Sequence, residues 1–285
     1  MKPLRTGKLR VERLTIPFAK LPQRLHGLKI VQLSDLHYAK GQLSDRLLNQ
    51  AIEQANRNAP DIIILTGDFI HDVPEPIDDL IPFLKRLHAH HGIYAILGNH
   101  DVYLPESRHY ITRALARIGI CVLWNQVVYP AGEGLALVGL ADLWSGDFDP
   151  APVFRDIDPD VPRIVLSHNP DTAEILRRWR CDLILSGHTH GGQLVLPLLG
   201  PLPKYLDFFR WIIPKALYPY FPLLDKGDYV TQHWEWASGM FRLGRNRLYV
   251  NRGLGSYFPG RWGCPPEVTE FMAIAQPNAP QYGFD

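Results

Sequence analysis

Cysteine is scarce in this chain of 285 residues: Cys121, Cys181 and Cys264 are all it has, and no two of them form a CxxC pair. An odd count without pairing motifs excludes a disulfide framework and a thiolate zinc site, and makes a reducing compartment the default. An excess of charge of one sign is also missing. Lys and Arg number 30 against 29 Asp and Glu, a net charge of +1. A general nucleic-acid binder relies on massed basic residues, so no nucleic acid is expected as a partner. A run of the ~18 apolar residues that a membrane span needs does not occur. The opening "MKPLRTGKLRVERLTIPF" carries charges where a signal peptide has its apolar stretch. Internal repeats are lacking, and nothing in the chain speaks to an oligomeric state. Together these absences lead to the expectation of a cytoplasmic protein.

What is present is apolar and ordered. With 46% hydrophobic residues, the chain can bury a substantial core, and its length suits one large domain, residues 1–285, with an insertion. "LKIVQLS" (28–34), "DIIILTGD" and "GIYAILGNHD" are short apolar runs ending in polar residues, as buried parallel strands do. Between the first two, Leu47, Leu48, Ala51, Ile52 and Ala55 recur at helical spacing before Pro60. Further helices are predicted around 77–89 and 106–118. Beyond about residue 120 the strands come closer together ("CVLW", "QVVYP", "LALVGLAD"). "RIVLSHNPDTAEILRRW" and "DLILSGHTH" then restore the strand–loop–helix rhythm, and "RLYVNRGLG" and "EVTEFMAIA" read as strands. The predicted fold is α/β: a layered β-sandwich flanked by helices.

Five of these strands run into metal-competent side chains. They end at Asp35 and His37, at Asp68, at Asn99, His100 and Asp101, at His168, and at His188 and His190 in "LSGHTHGGQ". One such ending is ordinary turn chemistry. Five are another matter, because sheet geometry gathers strand ends at one edge and so many ionisable groups need a compensating cation there. Carboxylate, imidazole and amide oxygen without cysteine suit Mn²⁺, Fe or Zn²⁺. The candidates are too many for one ion and fit two metals sharing a carboxylate, the arrangement used for displacement at phosphorus.

In this order, "DLH", "GD", "GNHD", "H" and "GHTH" resemble the calcineurin-like metallophosphoesterases, and "YVNRGLG" with "CPPEVTEF" resembles their bacterial small phosphodiesterases. The resemblance implies that Asp35, His37 and His190 bind one metal, that Asn99, His168 and His188 bind the other, and that Asp68 bridges them. It implies that His100 contacts the substrate phosphate and that Asp101 orients His100. The implied cofactors are two divalent ions, Mn²⁺ first and Fe or Zn²⁺ next. The implied reaction is hydrolysis of phosphodiester or phosphoanhydride bonds by metal-activated hydroxide. The alternative from another class, a non-catalytic protein-binding scaffold, goes with lost ligands, and none is lost here.

The substrate is written less plainly. Residues 197–232 are an aromatic-rich insertion relative to the small phosphodiesterases, with Phe208, Phe209, Trp211, Tyr218, Tyr220 and Phe221 among Lys204, Arg210 and Lys215. Pro197, Pro201, Pro203 and Pro214 predict short, angled pieces rather than one long helix. The segment is read either as a helical hairpin packed on the sheet or as an apolar cap for acyl chains. In the second case residues 203–221 touch the inner face of the membrane. A related group in the superfamily, the UDP-2,3-diacylglucosamine pyrophosphatases of lipid A synthesis, makes that lipid-linked nucleotide the leading substrate. A broad-specificity phosphodiesterase is the alternative. Arg252 and Arg261 are candidate phosphate contacts. His71 and Asp72, close after Asp68, are candidates for support, and the histidines of "LHAHHG" (87–92) read as helix-end decoration.

Overall fold

The structure, a computed structural model, describes residues 7–39, 41–214, 217–218 and 230–276. The apolar runs form strands as predicted. In chain order they are β1 (Arg10–Ala19), β2 (Leu28–Leu33), β3 (Ile62–Leu65), β4 (Ile93–Ala95), β5 (Ile120–Val122), β6 (Gln126–Val128), β7 (Ala136–Gly139), β8 (Arg163–Leu166) and β9 (Leu183–Ser186). A hairpin of β10 (Val195–Leu196) and β11 (Gly200–Pro201) follows, then β12 (Gly239–Leu243), β13 (Asn246–Val250) and β14 (Glu267–Gln276).

Two six-stranded sheets result, in the orders β1-β14-β2-β3-β4-β5 and β12-β13-β9-β8-β7-β6. Strands β2 to β5 are mutually parallel, as are β7, β8, β9 and β13. Parallel pairing directs the carboxyl ends of β2, β3 and β4 to one edge of the first sheet, and those of β7, β8 and β9 to one edge of the second.

The helices are α1 (Asp45–Arg57), α2 (Pro76–Leu84), α3 (Ser107–Ala116), α4 (Pro150–Arg155), α5 (Thr172–Leu176) and α6 (Leu206–Ile212). Ser44 caps α1, its hydroxyl accepting from the Leu47 N–H at 3.3 Å. All five apolar positions predicted for that helix are buried. The helix expected over 77–89 stops at Leu84. Farther on, the Asn56 side chain takes the His88 N–H at 3.0 Å, a side-chain acceptor that competes with helix continuation. The histidines of "LHAHHG" therefore lie beyond the helix end, and His90 pairs with Asp61 instead.

Alternation along the strands explains why they are apolar throughout. Ile62 and Ile64 meet Ile30, Leu166 and Leu185 between the two sheets. Ile63 and Leu65 pack with Leu48, Ile52 and Leu80 of the first helix layer. On the far side, Val165 and Ile184 pack with Val153, Phe154, Ala173 and Leu176. Both faces of each sheet are thus covered, and the layers run helix, sheet, sheet, helix, the predicted class.

After β9 the aromatic segment forms the β10–β11 hairpin, a 3-10 turn at Leu202–Tyr205 and the seven-residue α6. These are short pieces, as the prolines predict. Lys215, Tyr220 and Phe221 lie outside the described residues. Among the described residues no helix is long and apolar enough to cross a membrane.

Ile64 is fully buried between the sheets. Ile64→Ala is expected to lower unfolding stability by about 2–5 kcal/mol, measured by chemical denaturation, the range for a cavity that neighbours cannot refill. A loss well under 1 kcal/mol would contradict close packing of the two sheets at this point.

Candidate metal centre

Every residue singled out at a strand end stands just past one: Asp35 and His37 after β2, Asp68 after β3, Asn99 to Asp101 after β4, His168 after β8, and His188 and His190 after β9. The backbone there is forced into the left-handed region. Asp35 (φ 50°), His37 (42°), Asp68 (56°), His188 (72°) and His190 (50°) are five of the ten such non-glycine residues among those described. Each costs on the order of 1–3 kcal/mol and persists only where surrounding structure holds it, which is characteristic of working sites. The loops touch directly. A Cβ on Gly187 would overlap the Ser34 hydroxyl and the Asp35 carboxylate, and one on Gly67 would overlap the Gly98 backbone.

Among the described residues the side chains converge as three groups. Asp35, His37 and His190 form the first, Asp68, His168 and His188 the second, and His37, His71 and His100 a third, each with its ligand-type atoms within 4.8 Å of one another. His37 Nε2 and His190 Nε2 lie 2.9 Å apart, and Asp35 Oδ1 is 3.5 Å from the latter. Asp68 Oδ2, of the second group, stands between it and the first, at 3.3 Å from His37 Nε2 and 3.1 Å from His168 Nε2. Backbone carbonyls orient the rings from behind: Thr66 O is 2.7 Å from His168 Nδ1, Val230 O 2.6 Å from His188 Nε2, and Gly255 O 3.3 Å from His190 Nδ1. Such contacts fix which nitrogen faces a metal. The two sheets are pinned just beneath, where Gln32 Nε2 donates to Thr66 Oγ1 at 2.9 Å and to Ser186 O at 3.0 Å.

Electrostatics show what the pocket lacks. Burial raises the Asp68 carboxyl, but His168, His100 and His37 outweigh it and hold it well below the usual range. Burial opposes the charge on His168 too, yet Asp68 lifts that imidazole to about 10. Burial and His168 push His188 down to about 3, and burial with His37 and Arg261 depresses His190. Burial also raises Asp35. The cluster thus buries two carboxylates among imidazoles and is short of fixed positive charge. Asn99 Oδ1 is buried with no hydrogen-bond partner, and His168 Nε2 lacks one of good geometry. An orphaned neutral oxygen, paired imidazole nitrogens facing one another and a shared carboxylate are a donor set for divalent cations, and the residues fit them.

Three expectations need correction. The Asp101 carboxylate does not reach His100 among the described contacts. It accepts the backbone N–H groups of Phe69 (2.8 Å), Ile70 (3.3 Å) and Gly98 (2.9 Å), bracing two site loops, while burial and Asp68 push it up to about 7. The ring of His100 is held instead by the His71 carbonyl, 2.5 Å from Nδ1. Arg252 faces inward, with Nη2 on Glu12 and Nε on Glu267, both at 2.5 Å. Arg261 is buried and donates to the carbonyls of Gly255, Arg252 and His190. Both guanidiniums tie the last loops to the "GHTHGG" turn and to β14.

Sequence reasoning passed over three neighbours. Asp142, just past β7 at the same edge, is buried with Oδ2 unpartnered. Its signal was present, since "LALVGLAD" has the same strand-then-acid form as the other motifs. Trp144 is half exposed and meets the His188 ring edge-on at 4.9 Å. Tyr257 lies 5.1 Å from the His190 ring. No spacing rule links these two aromatics to the metal residues, and only the fold brings them there.

Layered sheets with buried Asp and His at their carboxyl edges define a class, and the chain belongs to the calcineurin-like phosphoesterase family, whose model matches residues 28–192. It is a metal-dependent phosphoesterase. Among its relatives is Phosphodiesterase YaeI of Escherichia coli, 35% identical, with 85% of this chain and 80% of that protein covered. UDP-2,3-diacylglucosamine pyrophosphatase LpxG of Chlamydia trachomatis is 30% identical, with 96% and 92% covered. YkuE of Bacillus subtilis, described as a metallophosphoesterase, is 34% identical over 90% and 82%. One solved crystal structure superposes with a TM-score of 0.50 at 11% identity, covering 80% of this chain and 91% of that one, a likeness of fold alone.

Arg252→Met is expected to leave the buried Glu267 carboxylate without its ion partner, costing about 3–5 kcal/mol in chemical denaturation, while KM for a soluble aryl phosphodiester stays within about twofold. Unchanged stability with a KM raised about tenfold would return this arginine to the substrate.

Proposed function

We propose that the centre holds two divalent metal ions, one on Asp35, His37 and His190, the other on Asn99, His168 and His188, with Asp68 bridging. The place of Asp68 Oδ2 between His37 and His168 carries this reading. Oxygen and imidazole donors without thiolate favour Mn²⁺, with Fe or Zn²⁺ next. When bound, two such ions lower the pKa of a water between them and neutralise phosphoryl oxygens.

The chain's own residues supply the rest. With Nδ1 of His100 taken by the His71 carbonyl, Nε2 is the ring atom left for a phosphate oxygen or a departing oxygen. Asp101 keeps the two loops beside it in register. The carbonyls behind His168, His188 and His190 hold each imidazole to one tautomer, so little reorganisation is needed when substrate arrives.

For the substrate, the favoured reading is hydrolysis of UDP-2,3-diacylglucosamine to UMP and lipid X, a step of lipid A synthesis. Similarity to LpxG across nearly the whole of both chains supports it. So does the apolar surface that begins shortly after His190: Leu198 is fully exposed, Trp211 is 81% exposed, and Leu199, Phe208 and Ile212 are exposed beside them. Residues 203–221 would then rest on the inner face of the membrane, in the cytoplasm, and admit acyl chains. In this reading residues 1–285 are one metallophosphoesterase domain and 197–232 its insertion, of which 215–216 and 219–229 lie outside the described residues. The second reading, a broad-specificity phosphodiesterase of soluble or phospholipid diesters, is favoured by the identity with YaeI.

Hydrolysis of UDP-2,3-diacylglucosamine and of a soluble aryl phosphodiester by Mn²⁺-loaded protein separates the two. In that assay His100→Ala is expected to lower kcat by about 10²–10⁴-fold with metal content largely kept, and Asp68→Ala to lose both metal and turnover. Full turnover by metal-free protein would refute the scheme. Phe208→Ser combined with Trp211→Ser is expected to reduce kcat/KM for the acylated nucleotide by about tenfold or more and to spare the soluble diester. Equal losses on both would reduce the segment to packing.

A further inference from the structure

His71 stands between two of the residues assigned above. It lies on the loop after β3, and its ring stacks on that of His100 with centroids 5.0 Å apart and planes at 13°. It meets His37 edge-on, at 5.4 Å and 69°. The Nδ1 atoms of His71 and His37 are 3.3 Å apart. Two imidazole nitrogens at that distance need one proton between them, so one donates and the other accepts.

The direction follows from the other side of the His37 ring. Its Nε2 faces Asp68 Oδ2 and His190 Nε2, the side on which the first ion is placed. A neutral imidazole that ligates through Nε2 carries its proton on Nδ1. His37 is then the donor and His71 Nδ1 the acceptor. The proton of His71 falls on Nε2, on the side of Asp72 Oδ2 at 3.6 Å.

We propose that His71 is the positioning residue of the first ion: it accepts the outward N–H of His37 and, through its own carbonyl, holds the ring of His100. One residue thereby sets the metal ligand and the phosphate-contacting imidazole together. A carboxylate or carbonyl usually stands behind a ligating histidine. A neutral imidazole does the same without adding negative charge to a pocket that already buries Asp35 and Asp68. The stack against His100 also explains why the acceptor is an aromatic ring, since an amide or carboxylate side chain would leave the face of His100 uncovered.

This role rests on the assignment of His37 as a ligand, and the test is arranged so that the two can fail separately. Metal-free full-length protein is titrated with Mn²⁺ by calorimetry, with thermal unfolding as the check on folding. Two binding steps are expected for the unsubstituted chain. His71→Phe keeps the stack and removes the acceptor, and should weaken one step by about 10–100-fold while sparing the other. His71→Asn, whose Oδ1 falls near the place of Nδ1, should recover most of that loss. His71→Gln, whose acceptor falls nearer Nε2, should behave as Phe does and serves in its place if Phe disturbs the fold. An unchanged titration for His71→Phe, or Asn as weak as Phe in a folded protein, would overturn the proposal. So would a third Mn²⁺ equivalent that His71→Phe abolishes, because His71 would then be a ligand itself. His37→Ala separates the levels. Loss of a step there beside an unaffected His71→Phe removes only the positioning role, whereas an unaffected His37→Ala removes the ligand assignment.

Discussion

Two carboxylates, Asp35 and Asp68, are buried side by side among imidazoles, and the surrounding architecture answers to that constraint. Ionised groups cannot be taken from water without compensation. Here the Asp68 carboxylate is balanced by imidazoles, His168 foremost at 3.1 Å. That is a poor substitute for divalent cations, as the unpartnered oxygen of Asn99 and the facing nitrogens of His37 and His190 also indicate. Strained left-handed backbone at five of these residues is the structural cost of aiming them at common points.

A strained cluster stays in place only if its supports are rigid, and the sandwich supplies them. The inter-sheet layer of Ile30, Ile62, Ile64, Leu166 and Leu185 holds the two strand edges against each other. The Gln32 bonds to Thr66 and Ser186 set their registration directly below the site. The last third of the chain then closes over the first. Glu267 of β14 gathers Arg252, Tyr249 and Thr269. Asn251 Oδ1 accepts the Gly253 N–H at 2.7 Å, and a Cβ on Gly253 would come within 2.5 Å of the Asp35 Cβ. Arg261 secures the turn that carries His190. These polar groups act on catalysis only through the positions they impose.

Around this polar centre the surface is unusually apolar on one side. The β10–β11 hairpin follows His190 closely, and Tyr205 is fastened to it through a 2.8 Å bond to the Leu199 carbonyl. Exposed Leu198, Leu199, Phe208 and Trp211 therefore belong to one neighbourhood. Trp144 against His188 and Tyr257 against His190 add aromatic faces beside the candidate ligands themselves.

Much of this was legible in the chain itself. Period-two burial on both faces makes a strand uniformly apolar, so the parallel sheets could be read from runs such as "DIIILTGD". Strand ends are local events, so the candidate metal residues that the fold brings together could be picked out one motif at a time. Contacts between segments remote in sequence carry no such local mark. Arg252 and Arg261 look the same on paper whether they face a phosphate or a carbonyl, and only packing turned them inward. Asp101 follows His100 directly, yet its carboxylate points at the backbone of another loop. The role of His71 depends on a ring stack and a nitrogen pair that adjacency to Asp68 does not specify. Residue type and order determined which chemistry is available. The three-dimensional approach of distant loops decided which atom each side chain faces.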